Sequence, residues 1–580
     1  MTVPPASGST TGPDDSPDES HDDSPEGLLA SSAVMAAGTV VSRFSGYLRS
    51  LLLAAALGNL LHADLFTIGN TVPNMLYILL AGGVFNAVLV PQLVRAMRKD
   101  PDGGEAYTNR VITLAALFLA AVSIVLVLAA PWVMDVFLSS DYDRPELADQ
   151  RDSIIAFARF CLPQVFFYGM FALVGQVLNA RRRFGPMMWA PIANNLVSVA
   201  VLVGYLLYYG PVADDRQYCA YTNGQEVWLG LGATAGIAVQ LLVLLPYLRA
   251  AGVHYRPRFD FRGTGLGHTL RLGLWTVLFV VVNQIAYVIV VRLASSGTAQ
   301  VLNGCGAAHR AVVHATGYTV YAQTFLIVMV PHAVITVSLA TALLPLLSAH
   351  GTSGDLRALA ASLGRVLRTA LAVVVPFAVL LPVIAPDLAT ILWDYGAASS
   401  TYSLYILSLS LFGIGVVFFT VHYLVLRGFY ALERNRTVFV IQCLVAATNV
   451  VAAVVLVART DAEHTAPALV VAYTASYAVG SVVSYLALRR ALGGLDTPQL
   501  VRFLVRLAIA TALSTAVAGA LALLLPGRDE PGHLLALVRL VVVTGADIGV
   551  FLLLARLMRL TEVTAVLDTV TRRLRPRTAA

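Results

Sequence analysis

Lysine is almost missing from this sequence. Lys99 is the only one in 580 residues, and all charged side chains together make up 12%. A water-soluble chain usually carries about 25%, so there is too little charge here to cover a folded surface of this size. Alternation is missing as well: residues 111–128 and 371–384 lack the polar side chain at every second position that a membrane barrel strand needs. That excludes the barrel. Cysteine is scarce, and Cys161, Cys219, Cys305 and Cys443 fall in no metal-ligand spacing. Cys219 and Cys305 lie near the same predicted membrane face, so a disulfide between them is open, although scattered cysteines are more commonly free. Catalytic signatures are absent too. No Walker phosphate loop, Gly-x-Ser-x-Gly elbow or metal-spaced His/Cys/carboxylate cluster occurs, so neither an enzyme nor a cofactor is expected.

What remains is oil. The chain is 58% hydrophobic with a mean hydropathy of +0.75, and apolar runs long enough to cross ~30 Å of hydrocarbon as helices recur to residue 557. Fourteen such runs are predicted, giving an all-α polytopic membrane protein. Residues 1–27, rich in Pro, Ser, Asp and Glu, cannot form a core and read as a disordered acidic tail with no signal-peptide pattern. A six-helix block over 28–250, an interfacial linker over 251–267 and a second six-helix block over 268–490 follow. Two further helices over 491–560 and a basic tail over 561–580 complete the chain.

The basic residues set the expected orientation. Loops and flanks on one side hold 28 of the 39, and the alternate loops hold six: Arg144, Arg151, Arg216, Arg310, Arg459 and Arg528. A bias that switches at every span follows the positive-inside rule and places both termini in the cytoplasm. It also argues against nucleic acid, whose backbone needs a continuous basic surface. The linker segment HYRPRFDFRGTGLG (residues 254–267) mixes Arg with Tyr and Phe. It reads equally as a segment lying along the membrane interface and as an ordinary basic loop.

Five arginines lie deeper: Arg43, Arg49, Arg159, Arg292 and Arg539. A basic group at mid-bilayer costs at least ~2.5–3.5 kcal/mol, so each needs a watery cavity, an acid or an anion. Arg43 and Arg49 are ~120° apart around a straight helix and ~9 Å along it. A wide cavity or a bend near Gly46 would let both reach one site, while a structural pair with Asp64 is the alternative for Arg49. Arg292 and Arg539 lie nearer span ends and could snorkel; Arg159 reads as structural as readily as functional. Among the acids, Asp64 could couple to a proton or cap its own helix, Asp135 is close enough to the interface to be solvated, and Asp547 has no basic partner nearby. A cationic cavity without catalytic machinery suggests moving an anion.

Several segments carry a family resemblance. The first two spans read SRFSGYLRSLLLAAALG (residues 42–58), ADLFTIGNTVPN (63–74) and GGVFNAVLVPQL (82–93). LPQVFFYGM (162–170), LNARRRFGPMMWAPIANN (178–195), VPHAVITVSLATALLPLLS (330–348) and RGFYALERNRT (427–437) follow in order. Together they resemble the MviN/MurJ family of lipid II flippases, within the multidrug/oligosaccharidyl-lipid/polysaccharide exporter superfamily. The resemblance covers spans one to twelve, and fourteen spans is the family number. It implies two six-helix lobes around a central cationic cavity, with two C-terminal helices forming a groove for a lipid tail. The implied cargo is an undecaprenyl-pyrophosphate-linked peptidoglycan precursor, moved from inner to outer leaflet of a bacterial plasma membrane. Arg43 and Arg49 then match the two first-span cavity arginines, Asp64 the acid early in span two, and Arg292 an assisting cation.

Departures from the family pattern are specific. Tyr77 and Gly82 stand where Arg and Glu are usual, Leu326 where the eighth span offers another cavity Arg, and Val291–Arg292 where many members have Asp-Arg. His309, Arg310, His314 and His332 are candidates to compensate. Two other functions therefore stand beside the flippase: an exporter of a different polyprenyl-linked or other amphiphile, and a non-transporting scaffold among cell-wall synthesis proteins. Fourteen spans suffice for a pathway within a monomer.

Overall fold

The computed structural model describes residues 25–79, 104–181, 183, 185–260, 266–300, 315–527 and 532–564. Both tails lie largely outside this set, as do Gly82, Cys305, His309, Arg310 and His314. The described residues form helices joined by short loops. The first group is α1 (Pro25–Leu57), α2 (Leu61–Gly69), α3 (Thr71–Ile78), α4 (Glu105–Leu128) and α5 (Ala130–Phe137). It continues with α6 (Ala148–Cys161), α7 (Gln164–Ala180), α8 (Gly185–Tyr208) and α9 (Asn223–Ala250). The second is α10 (Leu266–Ala299), α11 (Tyr318–Val328), α12 (Val337–Thr352), α13 (Leu356–Trp393), α14 (Leu404–Ala431), α15 (Asn435–Val457) and α16 (Thr465–Leu492). A final pair is α17 (Thr497–Leu524) and α18 (His533–Leu557).

Twelve helical segments among the described residues are long and apolar enough to span a membrane. The 33-residue α1 and the broken α2–α3 stand beside them, so the expected fourteen is matched approximately. Local sequence explains several boundaries. Thr222 and Gln225 form a capping box that starts α9. Pro331 precedes a π-helical turn at His332–Thr336, which joins α11 to α12 as one interrupted span. The 38-residue α13 keeps Pro376, Pro382 and Pro386 inside it, as membrane helices tolerate.

Packing divides the helices into two lobes: α1 rests on α8 and α9 on α7 and α8, while α10 packs on α15, and α14 on α13 and α16. The pair α17–α18 leans on α13. Hydrogen bonds between the lobes gather toward the Arg-poor loops. There the Asn59 amide donates to Thr401 O at 2.8 Å, Gln217 to Ala397 O at 2.9 Å, and Ser400 Oγ to Asp214 at 2.8 Å. Gly396, at φ +54°, meets the α1 backbone at Ala55 so closely that a Cβ would not fit.

Three sequence expectations change here. Arg539 does not snorkel. It is buried on α18, pairs with Asp387 of α13 at 3.0 Å, and donates to the carbonyls of Leu525 and Pro526, each at 2.9 Å. It thus satisfies an acid and the free carbonyls at the C-terminal end of α17 together. Cys219 is disulfide-bonded, whereas Cys161 and Cys443 are free; Cys305, the candidate partner in the sequence, lies outside the described residues. Asp135 is not merely solvated but pairs with Arg151 at 2.5 Å.

Residues 251–260 of the linker form no helix and are strapped to the start of α4. Asn109 donates to His254 O at 3.3 Å, the Arg258 amide to Thr113 Oγ1 at 3.2 Å, and Arg110 pairs with Asp260 at 2.6 Å. The hydrogen bond from Arg110 holds the Asp260 carboxyl below its ordinary range. A depressed carboxylate keeps its tie above the ordinary carboxylate pKa and loses it as pH falls through the lowered one.

Two outcomes follow. Arg539→Ala leaves Asp387 buried without a counter-charge and should destabilise by about 3–5 kcal/mol, read as a lowered unfolding temperature in detergent. The double change Arg539→Leu/Asp387→Leu should be milder than the sum of the single changes; strict additivity would show that the pair is not coupled. In the linker, a spin label on Pro257→Cys should be restrained at neutral pH and loosen only in acid, below the ordinary carboxylate range. With Asp260→Asn added it should be loose throughout, and a label insensitive to both changes would remove the strap.

Candidate functional site: a cavity between the lobes

Arg43 and Arg49 both line one cavity of about 930 Å³ between the lobes. The helix that carries them runs unbroken through Gly46, so the width of the cavity, rather than a kink, lets both reach it. Asn195 of α8 fixes this stretch of α1, donating to Ser42 O at 3.0 Å and Ser45 Oγ at 2.9 Å. Gly46 faces the same amide. Arg43 is exposed and Arg49 half-buried, and neither forms an ion pair with a described acid. They are the only charged residues of the lining among those described. A low-polarity cleft with two guanidinium groups and no acid attracts an anion and offers it paired N–H donors.

The structure does not bring the other two predicted site residues there. Asp64 is fully buried beside the lobe interface, not paired with Arg49. Its carboxylate accepts from Thr298 Oγ1 at 2.7 Å, from the Tyr318 amide at 3.2 Å and from the Thr319 amide at 2.7 Å. Tyr318 and Thr319 open α11, whose N-cap position is Gly317, with no side chain to offer. Asp64 therefore caps a helix of the opposite lobe rather than its own, satisfying free N–H groups at a positive helix end. Only glycine fits at 317, since a Cβ there would strike the Asp64 carboxylate. Arg292 also joins the lobes: it donates to Asp135 O at 2.6 Å and Val136 O at 3.3 Å, near the C-terminal end of α5. Arg159 is exposed on α6, away from the cavity.

The departures from the family pattern sort similarly. Leu326 lines the cavity, 39% exposed, so an apolar group faces the space where the resemblance led one to expect a cation. Tyr77 instead packs on Tyr168 with ring centroids 4.8 Å apart. His332 is buried against Phe419 and Tyr423 and bonded to Thr420 at 2.9 Å, outside the lining.

Sequence reasoning missed the far wall. There α10, α15 and α16 supply Tyr287, Gln284, Asn449 and Tyr477, together with the hydrogen-bonded amide pair Gln442–Asn283 at 2.7 Å. A signal was available. Gln442 and Asn449 are seven residues apart and Tyr473 and Tyr477 four, so each pair shares a helix face, a polar stripe in spans that need none.

Comparison with known proteins agrees with this architecture. The family model described as "Lipid II flippase MurJ" matches residues 53–537. A protein of Rhizobium tropici named "Probable lipid II flippase MurJ" is 28% identical over 405 residues, 69% of this chain and 70% of that one. Among solved structures, "Lipid II flippase MurJ, inward closed conformation" superposes with a TM-score of 0.67 at 15% identity, covering 90% of this chain and 98% of its own. An inward-facing multidrug resistance MATE family transporter of the MOP superfamily gives 0.59 at 13%, covering 78% and 95%. At these identities the two structures share the fold. With the model match running through both lobes and into α18, the chain belongs to the MurJ lipid II flippase family.

Proposed function

We propose that this protein carries lipid II, a peptidoglycan precursor linked to undecaprenyl diphosphate, from the inner to the outer leaflet of a bacterial plasma membrane. The observation that carries the reading is the cavity itself: a cleft within a membrane domain, lined by Arg43 and Arg49 and by no described acid. A diphosphate brings charge that two guanidinium groups can meet with paired hydrogen bonds, replacing the water it leaves. Membership of the MurJ family supplies the cargo class. The Arg-rich loops then face the cytoplasm with both termini, and the sealed Arg-poor end faces outward. One chain contains the whole cavity, so a monomer is sufficient. Cell-wall synthesis enzymes are natural suppliers and consumers of such a cargo.

In this arrangement Asp64 is a latch. Its carboxylate holds α11 of the second lobe to α2 of the first, and opening the outer side requires that contact to break. Arg292, Asn59 and Gln217 add bonds along the same seam. The neutral Leu326 at the cavity favours a second reading, in which a related lipid-linked substrate with fewer anionic groups is moved by the same rocking of lobes.

Complementation decides between them. In a bacterium depleted of its own lipid II flippase, the wild type should restore growth. Arg43→Ala/Arg49→Ala should not, each single change weakening lipid II binding roughly tenfold or more. A correctly inserted wild type that fails to rescue would shift the cargo to the related lipid. For the latch, Asp64→Asn removes the charge facing the α11 N-terminus, worth up to ~2 kcal/mol in a buried setting. A cysteine at Thr67 should then become reactive toward a membrane-impermeant thiol reagent added outside. Unchanged labelling would show that the seal does not depend on Asp64.

A further inference from the structure

The cavity is lopsided in its chemistry. Arg43 and Arg49 stand on α1, whereas the wall formed by α10, α15 and α16 carries no charged lining residue among those described. That wall nevertheless is not plain hydrocarbon. Tyr287 and Tyr477 present half-buried rings, and Gln284 and Asn449 half-buried amides. Tyr477 is held by edge-to-face packing on Phe419 at 4.9 Å and by Tyr473 at 4.6 Å, so its ring is set in place without a ligand.

The amides divide into two kinds. Asn283 is spent within the protein, accepting from Gln442 at 2.7 Å and donating to Phe279 O at 2.9 Å. Gln284 and Asn449 make no side-chain hydrogen bond to a described residue, and Asn449 Oδ1 is buried without a partner. Unpartnered amides in membrane spans are costly unless something else meets them. Their chemistry limits what that is. A lipid tail has no use for amides, a cationic drug would meet two arginines and no acid, and a further anionic group would be drawn to the α1 side. Flat rings beside amide donors and acceptors suit a neutral group with apolar C–H faces and many hydroxyls. A cavity of about 930 Å³ is also at the large end of the ~300–1,000 Å³ typical of small-molecule sites, which leaves room beyond a diphosphate.

We propose that this wall is a carbohydrate subsite: Tyr287 and Tyr477 stack on the sugar that follows the diphosphate, and Gln284 and Asn449 hydrogen-bond its hydroxyl and acetamido groups. The inference rests on the function proposed above, because the sugar is taken to hang from the diphosphate at Arg43 and Arg49. It assigns glycan selectivity to the second lobe and anion affinity to the first.

The test uses the full-length protein in nanodiscs and two probes: undecaprenyl diphosphate, and the same lipid carrying an amino-sugar disaccharide without peptide. The wild type should bind the glycosylated probe about tenfold more tightly. Tyr477→Ala and Gln284→Ala/Asn449→Ala should each reduce that preference about fivefold while leaving affinity for the bare diphosphate unchanged. Tyr477→Phe, which keeps the ring, should retain most of it. Equal wild-type affinity for the two probes, or parallel loss of both in Tyr477→Ala, would overturn the subsite while leaving the flippase reading intact. Failure of the wild type to bind either probe would overturn both.

Discussion

Hydrocarbon has nothing to offer a polar group, and this one constraint sorts the chain's rare charges. A group kept inside the bilayer is either satisfied by the protein or kept for something that enters. Arg539 has an acid and three carbonyls, Arg292 two carbonyls across the seam, and Asp64 a hydroxyl and two amides. Each of these is closed. Arg43 and Arg49 have no described acid and face the cavity, which makes them the open positions of the same accounting.

The closed groups are not idle, because most of them sit where one lobe meets the other. A seam of hydrogen bonds is suited to a surface that must part and re-form. Bonds to backbone carbonyls and amides can be exchanged for water, whereas a greasy seam of the same area would resist wetting. The Asp64 contact differs from its neighbours in placing a carboxylate on a helix end, which concentrates holding power at one point of the seam. The Arg539–Asp387 pair is of another kind. It is buried between α13 and α18 and ties the terminal helix pair to the second lobe.

Much of the architecture was legible in the sequence. The all-helical membrane fold and, approximately, the span number follow from the apolar runs, since these reflect the bilayer itself rather than particular contacts. Arg43 and Arg49 were legible as cavity candidates because a charge deep in a span needs water, an acid or an anion. Arg539 and Asp64 were misread because their partners are distant. Asp387 lies 152 residues from Arg539, just beyond the span as predicted, and the amides that meet Asp64 lie 254 and 255 residues away. The tyrosine and amide wall was overlooked for a different reason. Uncharged polar residues barely change hydropathy, so only their helical spacing, as at Tyr473 and Tyr477, distinguishes a lining from a core.

The division of labour across the cavity bears on how cargo could drive the cycle. A ligand shifts a conformational equilibrium only by its difference in affinity for the two states. An anion resting on Arg43 and Arg49 touches one lobe, and its contacts with α1 move as that lobe moves. It therefore gains little from any change in the angle between lobes. A ligand that also touches the wall built by α10, α15 and α16 spans the gap, and its contacts on both sides improve together only as the lobes approach. With the diphosphate and sugar placed as proposed, the diphosphate would supply affinity, while the group attached to it would supply the conformational difference. A cavity with cations on both walls would let a bare anion close it, and the neutral Leu326 on the far side removes that shortcut.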